Sequence, residues 1–490
     1  MINIMATLSD TNDKYKSDYI NLCDIAKQIN DVIHGNIQLS KFAIKIIDTI
    51  YFQRLRDLSQ LGLCKYVFPN ANHTRFEHSI GTYYLCGKIL NTIINNTKKK
   101  DLDKYLSEIP ELQQYFKNAY DGKKHSLDIY VCELIKIASL CHDIGHGPLS
   151  HLFDDIYLPA VSRENNQYST HEERSKLLLK LIISQCSELS QIVSDDEISF
   201  MTNLINPKKE HTGFIYQIVS NKLTNLDVDK FDYLERDIYF LGFDGKISTK
   251  LMTEQIKIIN NNIVYPEQAI NNIRNLFSTR HRLHRYVYGH KSVIAIDLMF
   301  VEIFKLIDNI FDLSNNLSNM DEFAKLTESY IINSIKYLHN NINLIEEHKR
   351  ENVKNAYTLL NKIENRQLYT SIYQQAFKQK INITKLESYI SRLEDAKFIS
   401  VFQRKIGYTN SDINDPLDNI EFYKTKDVHK SYNLISYKKY DYDTTLIPMY
   451  HQEYLVHVFY KLPNDNKKRI NDLNKYFVNL FSNKISNLIL

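Results

Sequence analysis

The sequence predicts a mainly α-helical protein in which a large helical core is followed by a smaller mixed α+β lobe. Three observations predict it. From Ile25 to about Lys291, apolar residues recur at helical spacing between short loops carrying Gly, Pro and His. Residues 295 to 395 continue helically with charged faces such as Glu346-Glu347-His348-Lys349-Arg350. Between Phe398 and Lys461 the pattern shortens to β-like runs, Phe398 to Phe402 and Val456 to Tyr460, separated by the turn-rich stretch Thr409 to Asp418.

Residues 1–24 are polar and aperiodic and read as a tail. Residues 25–295 read as one helical domain, and 296–490 as a helical and α+β C-terminal lobe. Within the first domain, Val131, Leu134, Ile135 and Ala138 fall at i, i+3, i+4 and i+7, one buried helical stripe that His142 continues. The polar stretch from about Asn95 to Lys124, with its Thr97-Lys98-Lys99-Lys100-Asp101 run, reads as a surface insertion in which the charge run is a solvated loop.

With 490 residues, 43% hydrophobic and 24% charged, the chain has material for one large core or two to three smaller ones. Its 61 basic and 58 acidic side chains leave a formal charge of only +3, so an anionic ligand must be held by local basic clusters. Charge therefore implies no nucleic-acid partner. Cys23, Cys64, Cys86, Cys132, Cys141 and Cys186 show no CxxC spacing, which argues for a reducing compartment, cytoplasmic or nuclear. No apolar run approaches the ~20 residues of a membrane span, and no signal pattern opens the chain.

The chemistry is concentrated in Ala138 to His151, where a buried helix ends in His142-Asp143. Imidazole and carboxylate on a rigid platform suit one metal ion. Gly145, Gly147 and Pro148 then break the helix, and the chain restarts with His151 and Asp154 three residues apart. Upstream, Arg75 and His78 stand three apart at the start of another amphipathic helix. Downstream, Asp229, Tyr233 and Asp237 share one helical face, and Arg280, His284 and Tyr288 repeat that spacing on a cationic face suited to phosphate. An HD dipeptide alone carries little weight; four matches in order carry much more.

His78, His142-Asp143 and Asp229 form the H…HD…D pattern of the HD superfamily. The chain resembles the SAM-and-HD-domain deoxynucleoside triphosphate triphosphohydrolases, from about Lys27 to Lys461 and most strongly up to Lys291. The shared segments are Phe52-Gln53-Arg54-Leu55-Arg56, Tyr66-Val67-Phe68-Pro69, Arg75 to Ser79, His142 to His151, Asp227 to Lys230 and, more loosely, Asp415 to Tyr423. No SAM domain is expected ahead of them.

The resemblance implies a helical HD core and a divalent metal (Fe, Zn, Mn or Mg) on His78, His142, Asp143 and Asp229. It implies hydrolysis at the α-phosphorus, releasing nucleoside and intact triphosphate, with Arg75, Lys230, Tyr233 and Arg280 clamping the phosphates. His151, oriented by Asp154 or His171, is the expected general acid, and His146 a phosphate ligand or proton relay. Gln60 and Asp237 match the family's 3′-hydroxyl partners, and Leu61 with Tyr288 would wall off C2′. Asp48, Gln53 and Arg56 match a guanine-nucleotide effector site that assembles a homo-oligomer, a dimer or tetramer. Lys27, Gln28, Asn30, Val67 and Arg366 match neighbouring positions of that site.

Two segments, Asp244 to Leu251 and Asn260 to Glu267, depart from the family's second effector pocket, with Lys250 the nearest basic residue. Two other functions stay open at this stage. One is another HD-type nucleotide phosphohydrolase acting on a monophosphate or cyclic nucleotide. The other is a non-catalytic binder of nucleotides or single-stranded nucleic acid.

Overall fold

The computed structural model describes residues 13–161, 168–243, 247–408, 415–424, 434–436, 451–462 and 467–489. Helices dominate it and the sheets are small, the fold class the sequence predicts. The elements that position the site are helix α1 (Asp13–Cys23), hairpin β1 (Ile25–Asp31) and β2 (Gly35–Ser40), α2 (Arg75–Asn96), α3 (Ile129–Cys141), α4 (His171–Gln185) and α5 (Val228–Leu241). Strands β3 (Lys257–Ile259) and β4 (Asn262–Pro266) follow, then α6 (Ile270–Leu283), α7 (Lys291–Phe311) and α8 (Glu347–Glu364). The lobe adds β5 (Thr370–Phe377), β6 (Ile399–Gly407), β7 (Glu421–Tyr423), β8 (Leu434–Ser436), β9 (Gln452–Tyr460) and α9 (Lys467–Leu488).

α3 is the axis of the core. Asp128 caps it, its side chain accepting from the backbone N–H of Tyr130 (3.0 Å) and Val131 (2.9 Å), which satisfies two of the donors that every helix start leaves free. Val131, Leu134, Ile135 and Ala138 are all fully buried, as their spacing predicts, and α3 packs along α2. Val131, Leu134 and Ile135 each contribute about 1.5–3 kcal/mol of transfer free energy. A capping box between Thr74 and Glu77 starts α2 beside it, the Thr74 N–H donating to Glu77 at 3.0 Å.

Three expectations change. The stretch read as a tail contains α1, whose Tyr19, Leu22 and Cys23 are buried, with Tyr19 against Tyr115 and Tyr130 at ring-centroid distances of 5.4 and 4.4 Å. The Asn95–Lys124 insertion is packed too. Its helices at Lys99–Ser107 and Gln113–Tyr120 bury Leu102, Leu106, Tyr115 and Phe116, the turn between them buries Leu112, and the Lys98–Asp101 run opens the first helix. The apolar positions there are helically spaced but outnumbered by charge, which hid them. Lastly, a boundary after residue 295 would fall inside α7, whose Ile294, Ile296, Met299 and Phe300 belong to the main core.

Hairpins also interrupt the helical domain. β1 pairs antiparallel with β2, and their turn is set by Asp31, whose Oδ1 accepts from the N–H of Ile33 (2.9 Å) and His34 (2.8 Å). β3 and β4 join through Asn260 and Asn261, both at positive φ (49° and 62°), the backbone a two-residue hairpin requires. That turn opens the segment Asn260 to Glu267, whose remainder is mostly β4. In the other segment that departs from the family pattern, residues 244–246 lie outside the described residues, as do 409–414 of the turn-rich stretch.

In the lobe, β9 lies between β5 and β6, antiparallel to both, and β7 joins β4 of the core in parallel. The lobe has an apolar cluster of its own, including Ile372, Phe377, Leu386, Val456, Val458, Leu473 and Phe477. Phe477 is fully buried within it, its ring centroid 6.3 Å from that of Tyr373. Replacing Phe477 by Ala is expected to destabilise the protein by about 3–5 kcal/mol in denaturant titrations. A second prediction concerns Glu197, buried under α3, where it caps the helix Asp195–Ile205 and meets the Tyr130 hydroxyl at 3.3 Å. Burial pushes its carboxyl up to about 7. Its folded form binds the proton more tightly, so its stabilising contribution is complete below the ordinary 4.5 and is lost as pH rises through about 7. Compared with Glu197→Gln, the native protein should lose up to about 3 kcal/mol more stability between pH 4.5 and 8, read from melts across that range.

Candidate active site

The His-Asp turn after α3 is held by backbone contacts. Two buried guanidinium groups hold three successive carbonyls: Arg54 donates to those of Ile144 (2.9 Å) and His146 (2.6 Å), and Arg174 to that of Gly145 (2.8 Å). The Ser175 hydroxyl accepts from the Gly145 N–H (2.9 Å) and donates to the His142 carbonyl (2.7 Å). This proximity to α4 explains Gly145, because a Cβ there would lie 2.3 Å from the His171 carbonyl oxygen and the Ser175 nitrogen. Beyond the turn, Leu149 and Ser150 both adopt left-handed φ (63° and 57°), a strain of about 1–3 kcal/mol each. It places the Ser150 hydroxyl between the Ser59 carbonyl (3.1 Å) and Arg75 Nε (2.7 Å).

His142 Nδ1 donates to the Ser139 carbonyl at 2.7 Å, leaving its Nε2 to face inward. His78 Nδ1 donates to Asp232 at 2.8 Å with the same result. The two Nε2 atoms meet two carboxylates. His78 Nε2 lies 3.5 Å from Asp143 and 3.2 Å from Asp229, and His142 Nε2 lies 3.4 Å from Asp143 and 3.5 Å from Asp229. Both Nε2 atoms are buried and make no hydrogen bond among the described residues. Donors about 2.1 Å from one tetrahedral ion stand about 3.4 Å apart, so this set fits a divalent transition metal.

The charges agree with that reading. Burial works against a proton on His78, yet Asp229 and Asp232 outweigh it and raise the ring to about 10. Burial likewise opposes ionisation of Asp143 and Asp229, yet His142 and Arg75 hold the first, and His142 and His78 the second, well below the usual carboxylate range.

His142, Asp143 and Asp229 open onto a cavity of about 830 Å³ lined by every residue expected to hold substrate: Gln60, Leu61, Arg75, Lys230, Tyr233, Asp237, Arg280, His284 and Tyr288. Asp229, Tyr233 and Asp237 face it from α5, as their four-residue spacing predicts. Arg75 pairs with Asp143; Lys230 donates to Asp227 at 2.9 Å; Arg280 donates to the Gly407 carbonyl at 2.6 Å. Asp237 is fully buried and takes hydrogen bonds from the Tyr288 hydroxyl (2.5 Å) and from His73 (2.8 Å). Burial beside Arg280 and Arg404 holds His284 well below its usual range, so its ring is neutral at pH 7.

The histidines beyond the turn depart from expectation in one respect. Asp154 does not orient His151. It pairs with Arg174 and accepts from His146 Nδ1 at 2.8 Å, while His151 Nδ1 meets Asp155 at 3.1 Å. The cause is the wide π-type turn over Leu152–Tyr157, which brings residue i+4 beneath His151 and sends Asp154 inward. His171 stacks on His146 at 3.8 Å and lies 6.1 Å from His151 between ring centroids. Burial and His146 push it down to about 4.

The residues matched to an effector site form separate contacts. Lys27 pairs with Asp48 (2.8 Å), Arg56 donates to Gln53 (2.8 Å), and Arg366 donates to the Tyr66 carbonyl (2.7 Å) next to Val67. Gln28 and Asn30 lie on β1 with Lys27, Gln28 accepting from Asn36 at 3.2 Å.

Sequence reasoning missed several contributors. His73, Asp232, Arg54 and Ser150 stand inside or beside the motifs already singled out, and that closeness was the available signal. Asp297 of α7 and Phe402, Gln403, Arg404 and Lys405 of β6 line the same cavity from far along the chain, with no local signature. Burial pushes the Asp297 carboxyl up to about 7 against the pull of Arg404.

No family model matches the chain. Individual relatives do. The chain is 42% identical over 346 residues to HD domain-containing protein L394 of Acanthamoeba polyphaga mimivirus, covering 69% of this chain and 72% of the relative. It is 33% identical over 442 residues to the deoxynucleoside triphosphate triphosphohydrolase SAMHD1 homolog of Dictyostelium discoideum, covering 89% and 77%. With deoxynucleoside triphosphate triphosphohydrolase SAMHD1 of Bos taurus it shares 30% identity over 459 residues, covering 83% and 71%. Identities of 30% and 33% over more than two thirds of the chain and of each relative show that this chain belongs to the SAMHD1-like family of HD-domain hydrolases.

Proposed function

We propose that this chain hydrolyses deoxynucleoside triphosphates to deoxynucleoside and inorganic triphosphate, with a divalent metal ion on His78, His142, Asp143 and Asp229. The observation that carries the proposal is that His142, Asp143 and Asp229, with His78 buried against them, face the same cavity as the cationic side chains Arg75, Lys230 and Arg280. The relatives' names supply the substrate class. When bound, a divalent ion supplies Lewis acidity and an activated water at neutral pH.

The protein's own groups do the rest. Arg75, Lys230 and Arg280 bind the triphosphate oxygens and offset charge that grows on them in the transition state. They also fix the α-phosphorus for in-line attack. His151, held through Nδ1 by Asp155, delivers a proton from Nε2 to the departing 5′ oxygen as the bond to the α-phosphorus breaks. His171, neutral at pH 7, serves better as the stacking support of His146 than as an acid.

Asp237 and Gln60 receive the 3′-hydroxyl, and Leu61 with Tyr288 excludes a 2′-hydroxyl sterically, since an apolar wall alone rejects an added hydroxyl only modestly. The proposal extends to activation by GTP or dGTP and to a dimer or tetramer, supported by the family match of Asp48, Gln53 and Arg56.

The test is incubation with dATP and Mg²⁺ or Mn²⁺, with and without GTP, resolving nucleoside, triphosphate and phosphate. Deoxyadenosine plus triphosphate is expected, with ATP turned over far more slowly and activity lost in His142→Ala by 10³-fold or so. Stepwise phosphate release would assign another phosphohydrolase chemistry, and equal turnover of ATP would remove the sugar selection. An unchanged rate and oligomeric state with GTP and dGTP would remove the effector.

A further inference from the structure

The β1–β2 turn reaches across the core to the back of the candidate metal centre. His34 is nearly buried, its side chain 6% exposed, and its ring stacks on Tyr84 with centroids 5.1 Å apart. Its Nε2 lies 2.6 Å from Asp232 Oδ1, across 198 residues of sequence. Asp232 is fully buried and can only accept, so the proton of that contact sits on His34 Nε2.

Asp232 is saturated. Oδ1 takes His34 Nε2 and Arg236 (3.0 Å), while Oδ2 takes His78 Nδ1 (2.8 Å) and Arg236 Nε (2.9 Å). Four donors fill the four lone-pair positions of one carboxylate. Arg236 is itself held by Asp31 at 2.8 Å, and Asp31 is the residue that shapes the turn carrying His34. The space for this carboxylate comes from Gly81, where a Cβ would lie 1.9 Å from Asp232 Oδ1.

We propose that His34 is a positioning residue for the metal centre: by donating to Asp232 from the hairpin turn, it fixes the carboxylate that sets the tautomer and direction of His78. A ligating histidine presents a lone pair only if its other nitrogen holds the proton, and the partner of that nitrogen sets the ring's orientation and basicity. With His34 removed, Asp232 keeps Arg236 and His78 but Oδ1 is left with one donor, and the carboxylate loses its hold on the hairpin side. His78 Nε2 then loses its fixed aim. The inference rests on the reading of His78 as a metal ligand.

The experiment is titration of the full-length protein with Mn²⁺ alone, free ion followed by electron paramagnetic resonance and folding by thermal melt. His34→Phe keeps the ring that stacks on Tyr84 and removes the donor; it is expected to weaken Mn²⁺ binding about 10–100-fold. His34→Asn, too short to reach, should do the same, while His34→Gln, which returns an N–H donor at similar reach, should recover most of the affinity. Binding by the Phe and Asn variants equal to that of the native protein would overturn the inference and leave the metal reading intact. Failure of both to fold, or equal weakening in the Gln variant, would overturn it in favour of a purely structural role. A native protein that binds no Mn²⁺ would overturn both readings.

Discussion

Two carboxylates and two imidazoles share one largely buried pocket with their reactive atoms 3.2–3.5 Å apart, and the surrounding structure is arranged to tolerate this. Ionised groups out of water are costly unless they are paired. The pairing is extensive. Arg75 faces Asp143, Lys230 stands beside Asp227 and Asp229, and Arg236 lies between Asp31 and Asp232. Arg174 meets Asp154 and also holds the backbone of the His-Asp turn. Most of these partners are buried, so their geometry is fixed by packing and not by solvent. The α2 and α3 helices are the rigid rails on which His78 and His142 are mounted, and α5 sets Asp229 against them.

Much of this was legible in the sequence, for identifiable reasons. The stripe on α3 and the four-residue spacing of Asp229, Tyr233 and Asp237 are periodic, and periodicity maps directly onto a helix face. The order His78, His142-Asp143, Asp229 is a pattern that survives without knowledge of distances. What stayed hidden was of two kinds. Packing in low-contrast segments was one: the helices at Lys99–Ser107 and Asp13–Cys23 bury a few apolar residues among many charges, so composition disguised them.

The second kind was long-range. Nothing near His34 announces Asp232, and nothing near Phe402 to Lys405 announces a cavity wall formed against α6 and α7. The partner of His151 was misassigned because helical counting assumes 3.6 residues per turn, and the turn after it is wider. Spacing arguments fail where the backbone leaves its regular geometry, and Leu149 and Ser150 mark that departure with their left-handed φ.

The cavity also draws on both ends of the chain. Arg280 reaches the Gly407 carbonyl and Arg404 reaches that of Tyr288, so the lobe forms part of the wall and does not sit beside it. This spread has a consequence for biosynthesis. On a ribosome, His78 is made about 150 residues before Asp229, a gap of roughly 8–30 s at about 5–20 residues per second. The nascent chain therefore presents His78, His142 and Asp143 without the fourth member of the set until α5 emerges. Completion of the four-residue set is a late event of synthesis, and closure of the pocket by β6 is later still.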